Sequence, residues 1–271
     1  MKIVFWQPYY MEYGSEYLSK AITAMSALGG EPSILVEAPE WEPAQKEEVS
    51  DILVAESGVA YYRTAKDLGR IVDACREDGW CPTRFLKENV IQAGRNCFRI
   101  PHRVDSGSEV AYGALRPYCK KIFDMLSYQY QQVFWDVGQL QGSYLTYILR
   151  EADLIVVLLE NNQEILDSFF KTFHRFQEKF FYLISGADFH GHLSKQTILQ
   201  QYRIEEACFG NINHYHNFFT SVGKNEIMWR IVQEYERRNL NNFGEECMQV
   251  WKQMQRASGV LGVSKHNTLL F

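Results

Sequence analysis

No run of about 18 apolar residues occurs anywhere in this 271-residue chain, so nothing in it reads as a membrane-spanning helix. Cysteine pairs at C-x-x-C spacing are missing too. Cys75, Cys81, Cys97, Cys119, Cys208 and Cys247 are scattered, which fits reduced thiols in a cytosolic protein better than a disulfide framework. There is no excess of positive charge: the net charge of −5 disfavours a broad nucleic-acid surface. No secretory leader is expected, because the apolar opening runs into polar residues at Gln7. The G-x-S-x-G elbow, the H-E-x-x-H helix and the G-x-G-x-x-G turn are all absent, which removes the common hydrolase, zinc-protease and dinucleotide signatures. His190, His192, His214 and His216 lack companion ligands at persuasive spacing and read as loop histidines.

The most informative absence lies between residues 7 and 16. A buried strand over 2–6 is followed by a helix with apolar residues at Leu18, Ile22, Met25 and Leu28, so the order is strand, loop, helix. A phosphate-binding loop at such a junction needs glycines for close backbone approach, a lysine for the phosphate charge and a Ser/Thr hydroxyl for magnesium. Only Gly14 is present. Anchored on it, Tyr10, Met11 and Glu12 stand where Lys-Gly-Gly would fall, and Ser15 and Glu16 replace Lys-Thr. A carboxylate about 4 Å from a phosphate oxygen is repelled by roughly 4 kcal/mol at an effective dielectric near 20, so Glu12 and Glu16 oppose triphosphate binding. A second reading of the same residues is an ordinary helix start, with Ser15 as cap and Glu16 favourable to the dipole.

What is present is a regular alternation. Hydrophobic residues make up 46% of the chain, enough for one large α/β core. Strands are expected over 33–36, 96–100, 132–136, 153–159, 179–184 and near Cys208. Helices are expected over 64–75, 113–128, 143–151, 163–176, 194–202, 224–237 and 242–258, with a surface loop over 38–50. Such an order predicts a three-layer, mainly parallel twisted sheet flanked by helices, with its crevice at the carboxyl ends of the strands. Asp136 ends an apolar strand and is followed by Val137 and Gly138, the pattern of a metal-shell aspartate with a glycine switch behind it. A strand-end Asp capping the next turn has the same pattern. The terminal helix carries Phe243, Cys247, Val250, Trp251 and Met254 on one stripe and few basic residues, which favours docking on the core over lipid binding.

The opening Lys2-Ile-Val-Phe-Trp6, Asp136-Val-Gly138, Glu151-Ala-Asp-Leu-Ile-Val-Val-Leu158 and Phe218-Phe-Thr-Ser-Val-Gly-Lys224 together resemble the ParA/MinD-type P-loop ATPases. The flavour is that of the divergent TadZ/CpaE branch of tight-adherence (Flp) pilus assembly, with a degenerate Walker A loop. The resemblance covers most of 1–235. It implies a ParA/MinD-like domain over 1–240 and a C-terminal helix and tail over 241–271 packed on that domain. Gly14 and Asp136 match nucleotide-site positions of that family, and Ser185 stands where relatives often place an adenine-contacting Asn. Tyr10, Glu12, Gly14, Ser15, Glu16, Asp136 and Gly138 are then a vestigial nucleotide site, with no catalytic residue and no metal set. The tyrosines Tyr9, Tyr10, Tyr13 and Tyr17 are candidates to plug the crevice.

What the resemblance implies about function is a nonenzymatic pseudo-ATPase, a localisation or scaffold protein for a membrane-associated assembly such as a pilus or secretion apparatus. It would work with protein partners and as a homodimer, in the cytoplasm or at the inner face of the membrane, without a cofactor. The alternative is an ATPase with a deviant phosphate loop that uses ATP and magnesium in spatial positioning or DNA partitioning.

Overall fold

The computed structural model describes residues 1–11, 14–38, 40–41, 68–77, 86, 88–101, 103–104, 117–140, 142–173, 175–185, 193–213, 216–223 and 226–267. Its elements run β1 (Lys2–Trp6), α1 (Ser15–Leu28), β2 (Ser33–Val36), β3 (Glu40–Trp41), α2 (Leu68–Glu77), β4 (Ile91–Gly94), β5 (Cys97–Ile100) and β6 (Arg103–Val104). They continue with α3 (Cys119–Gln129), β7 (Gln132–Asp136), α4 (Gly142–Glu151), β8 (Leu154–Glu160), α5 (Gln163–Thr172), β9 (Phe180–Ser185) and α6 (Lys195–Tyr202). Last come β10 (Phe209–Ile212), α7 (His216–Ser221), α8 (Ile227–Glu236) and α9 (Asn242–Asn267).

Eight strands form one sheet in the order β10-β9-β8-β1-β7-β2-β5-β4, parallel throughout except for the antiparallel β4–β5 pair at one edge. The mainly parallel, helix-flanked sheet expected from the sequence is therefore the observed architecture. Near-continuous apolar strands are the reason: both faces of the sheet are covered, and alternate residues feed different cores. Val4, Trp6, Val133, Trp135, Ile155, Val157, Phe180 and Tyr182 enter the core shared with α2 to α6. Ile3, Phe5, Phe134, Leu154, Val156, Phe181 and Leu183 point the other way, into the core shared with α1, α8 and α9.

Helix α1 lies in the second of these layers, packed against α8 and α9 as well as the sheet. Enclosure from two sides explains why nearly all its residues are buried, including Ser19, Lys20, Thr23 and Ser26. On α9, Phe243, Cys247, Val250, Trp251 and Met254 are all buried in this core. Trp251 packs on Phe134 with ring centroids 5.6 Å apart, and Phe243 stacks on Phe218 at 4.8 Å. Among the described residues no helix is long and apolar enough to cross a membrane.

The departures from the sequence reading are local. Glu40–Trp41 is a short strand parallel to Arg103–Val104, inside the stretch expected to be loop. The rest of that stretch, at 39 and 42–50, lies outside the described residues, as do Cys81 and residues 64–67 and 113–116 of two expected helices. Strand β4 and helix α7 were not expected. β4 lacks a strong alternating pattern and pairs only at the edge, through a register shift between Gln92 and Gly94. Helix α5 ends at Thr172 rather than Phe176: Phe173 leaves helical geometry (φ −105°, ψ 94°), and after the left-handed Phe176 (φ 68°) a 3₁₀ turn runs over Gln177–Lys179. His190, His192 and His214 lie outside the described residues, and His216 opens α7.

Candidate functional site

The parallel register sets Phe5 opposite Asp136. Two segments therefore leave the sheet side by side at its carboxyl edge: residues 7–11 after β1, and the corner 136–138 after β7. Backbone bonds hold them together, from Val137 N to Phe5 O at 3.0 Å and from Gln7 N to Gly138 O at 2.9 Å. Gly138 sits at φ +54°, a conformation that side-chain-bearing residues resist, and its N–H donates to Asp136 Oδ1 at 2.9 Å. Asp136 is thus bonded into its own corner, as a strand-end cap would be.

Its second oxygen faces α1. Ser19 Oγ donates to Asp136 Oδ2 at 2.8 Å, and the Ser15 hydroxyl lies near enough to favour the charged carboxylate. Asp136 is 1% exposed. Its pKa is raised to about 6: burial raises it most, the hydroxyl and amide donors pull it down, and the charge of Glu16 raises it again.

The start of α1 differs from the capped start considered for the sequence. Gly14 is the N-cap residue, in extended backbone (φ −86°, ψ −161°), and it contributes no side-chain cap. Ser15 is the first helical residue rather than the cap. Its N–H donates to Gln7 Oε1 at 2.8 Å, while Gln7 Nε2 donates to Tyr9 O at 2.8 Å. The whole Gln7 residue is 3% exposed. The carboxamide therefore spans the loop from within and occupies one of the amides that a helix start offers to an anion.

One turn further along α1, Lys20 is 3% exposed, and its Nζ lies 3.3 Å from Glu37 Oε1. Glu37 directly follows β2, and Arg99 of β5 reaches its two oxygens at 3.0 and 3.2 Å. This buried cluster lies on the β2–β5 side of the corner. Its lysine is committed to a carboxylate rather than to the loop.

Of the seven residues singled out in the sequence, Ser15 and Gly138 lie against Asp136, with the Glu16 charge acting on it and Gly14 adjoining. Tyr10 is 76% exposed and stands away from them, and Glu12 lies outside the described residues. Two of the four tyrosines considered as a plug are engaged elsewhere. Tyr9 turns its hydroxyl to Ser168 Oγ at 2.9 Å, Tyr17 packs on Phe219 with centroids 4.6 Å apart, and Tyr13 lies outside the described residues. Gln7 fills the loop instead. Gln7, Ser19 and Glu37 are the site residues that sequence reasoning passed over; Gln7 and Glu37 each directly follow a strand, and that position was the one signal they gave. Ser185 ends β9 in a buried position, and its Oγ has no hydrogen-bond partner among the described residues.

The fold has close counterparts among solved structures. The ParA family ATPase of Chlorobium tepidum superposes with a TM-score of 0.63 at 11% identity, covering 92% of this chain and 96% of that one. The septum site-determining protein MinD of Pyrococcus horikoshii, solved with Mg-ADP, gives 0.62 at 9% identity over 96% of this chain and 99% of its own. The MinC:MinD cell division complex of Aquifex aeolicus gives 0.58 at 12% identity over 94% and 96%. This chain has the ParA/MinD fold. No family model and no curated protein sequence matches it.

That fold brings a nucleotide and magnesium into question at this edge. The donor set here is a poor one for a triphosphate: the Ser15 amide is bonded to Gln7, Lys20 to Glu37, and Glu16 puts a negative charge on the first turn of α1. Asp136, at the end of β7, is bonded to the Ser19 hydroxyl and to its own corner.

Proposed function

We propose that this chain is a nonenzymatic protein of ParA/MinD fold, a localisation or scaffold component serving a membrane-associated assembly of the tight-adherence pilus or secretion type. The observation that carries the nonenzymatic part is the bond from the Ser15 amide to Gln7 Oε1, which spends on the chain itself a donor that phosphate binding would need. The pilus assignment is supported by the motif resemblance to the TadZ/CpaE branch. A partner role draws on the Aquifex neighbour, a MinD held in complex with MinC. On this reading Tyr10, Glu12, Gly14, Ser15, Glu16, Asp136 and Gly138 are the remnant of a nucleotide site, no cofactor is used, and the working surface recognises protein, with homodimers as the expected assembly. Helix α9 is assigned to the same domain, and the protein acts in the cytoplasm or at the inner membrane face.

A second reading has one observation in its favour. A fully buried carboxylate whose pKa is raised to about 6 destabilises the fold at neutral pH, and retaining one makes sense where a cation completes it. On that reading the chain is an ATPase with a deviant loop. Calorimetric titration with ATP, ADP and GTP plus magnesium, with Asp136→Ala as control, separates the two. Absence of heat and of thermal stabilisation at millimolar nucleotide is expected; magnesium-dependent micromolar binding that disappears in Asp136→Ala would put the ATPase first.

A further inference from the structure

We infer that the Gln7 carboxamide is a built-in stand-in for a ligand: an internal strut that holds the loop and the first turn of α1 in one closed state, with Gly14 kept small to admit it. This role deepens the scaffold reading and rests on the crevice taking no nucleotide.

Three bonds define the strut. Gln7 Oε1 accepts from Ser15 N, Gln7 Nε2 donates to Tyr9 O, and Gln7 N donates to Gly138 O. One residue thereby ties the end of β1, the helix start and the Asp136 corner together. With the residue 3% exposed, both ends of its amide exchange water for protein partners, so the contact is held by the penalty of leaving buried polar groups unpaired.

Gly14 supplies an independent argument. Its φ of −86° and ψ of −161° suit any residue, so backbone conformation does not call for glycine. Space does. A Cβ at Gly14 would overlap Gln7 Oε1, closer than atoms can approach, and would press against Gln7 Cδ at 3.0 Å. The atoms in the way belong to the far end of a flexible side chain, so a methyl group there would expel the carboxamide without breaking the backbone. Glycine in this loop thus serves the chain's own amide. The neighbouring ties of α1, Ser19 to Asp136 and Lys20 to Glu37, fasten the same helix to β7 and to Glu37 after β2, and the strut adds a polar link to the end of β1.

Residue-resolved amide exchange on the full chain tests this. The Ser15 amide should be protected in the wild type. It should exchange about tenfold or more faster in both Gln7→Ala and Gly14→Ala, as expected for loss of one buried hydrogen bond, while β8 amides keep their wild-type rates. A Ser15 amide that exchanges at the rate of an exposed loop in the wild type overturns the strut, whether or not the variants fold. Unchanged Ser15 exchange in folded Gln7→Ala overturns it equally. Magnesium-ATP added to the wild type reports on the other question: micromolar binding sinks the scaffold reading, and Ser15 exchange in nucleotide-free protein still judges the strut.

Discussion

The middle of the sheet and its carboxyl corner are both buried but are held together by different forces. In the middle, β1, β7, β8 and β9 bury apolar side chains on both faces, and rings such as Phe5 and Phe134 meet at 6.2 Å. At the corner, Gln7, Ser15, Ser19, Lys20, Glu37 and Asp136 are all buried, and all are polar or charged. Hydrophobic burial is non-directional and tolerant of detail, whereas a buried polar group is stable only if each donor meets its acceptor. The middle therefore sets how stable the fold is, and the corner sets which single arrangement α1 adopts against the strand ends.

The largest effect should come from the middle. Phe134→Ala removes a fully buried ring that contacts Phe5 and Trp251, and a loss of about 3–5 kcal/mol is expected in urea unfolding. A loss below about 1 kcal/mol would mean that α9 does not close over the sheet as described. Next comes Glu37→Gln at the corner, which removes the charge facing Lys20 and Arg99. Breaking a buried pair from one side costs about 3 kcal/mol, so this variant should approach the ring deletion. If Lys20→Met combined with Glu37→Leu recovers most of that loss, the cluster supplies specificity rather than net stability, and the contrast between the two regions is sharpened.

That contrast also explains what was legible beforehand. Strands 33–36 and 132–136 coincide with β2 and β7, because an apolar run bounded by polar turns has few other ways to bury itself. Strand β4 escaped notice because an edge strand with partly exposed residues needs no strong pattern. At the corner, the sequence pointed to Gly14, Ser15 and Asp136 through their place after two parallel strands. It concealed Gln7 and Ser19, whose roles depend on three-dimensional reach across eight residues of loop and across the sheet–helix boundary. Tyrosines drew attention as plugs because they are large, yet the space beside Gly14 takes a carboxamide.

Asp136 offers a test in which the corner's charge is varied by pH alone. Its pKa lies near 6 in the folded chain against an ordinary value of 3.8, so the folded state binds the proton more tightly than the unfolded one. The stabilisation from that proton is complete below the unfolded value and is lost as pH rises through 6. Above that point the buried charge weighs against folding by up to about 3 kcal/mol, which is the shift expressed as free energy. Asp136→Asn should therefore be more stable than the wild type at pH 8, with the difference shrinking between pH 6 and pH 4. A variant less stable than the wild type at pH 8 would show that the carboxylate has a favourable partner in solution, and the ATPase reading would gain ground.

The smallest effect belongs to Ser19→Ala, and its pH dependence is more informative than its size. Ser19 Oγ donates to Asp136 Oδ2 and lowers the carboxyl pKa, so its loss leaves the charged form less satisfied and moves the pKa further up. At pH 8, where Asp136 is ionised, removing a hydrogen bond to a buried charge should cost about 1.5–3 kcal/mol. At pH 4 the carboxyl is protonated in the fold and the same substitution should cost about 1 kcal/mol or less, the value for a neutral pair. Chemical unfolding of wild type and variant at the two pH values measures the difference directly. An equal loss at both would mean that Ser19 acts only by filling space between α1 and β7; a larger loss at pH 8 identifies its hydroxyl as part of what keeps a negative charge inside the fold.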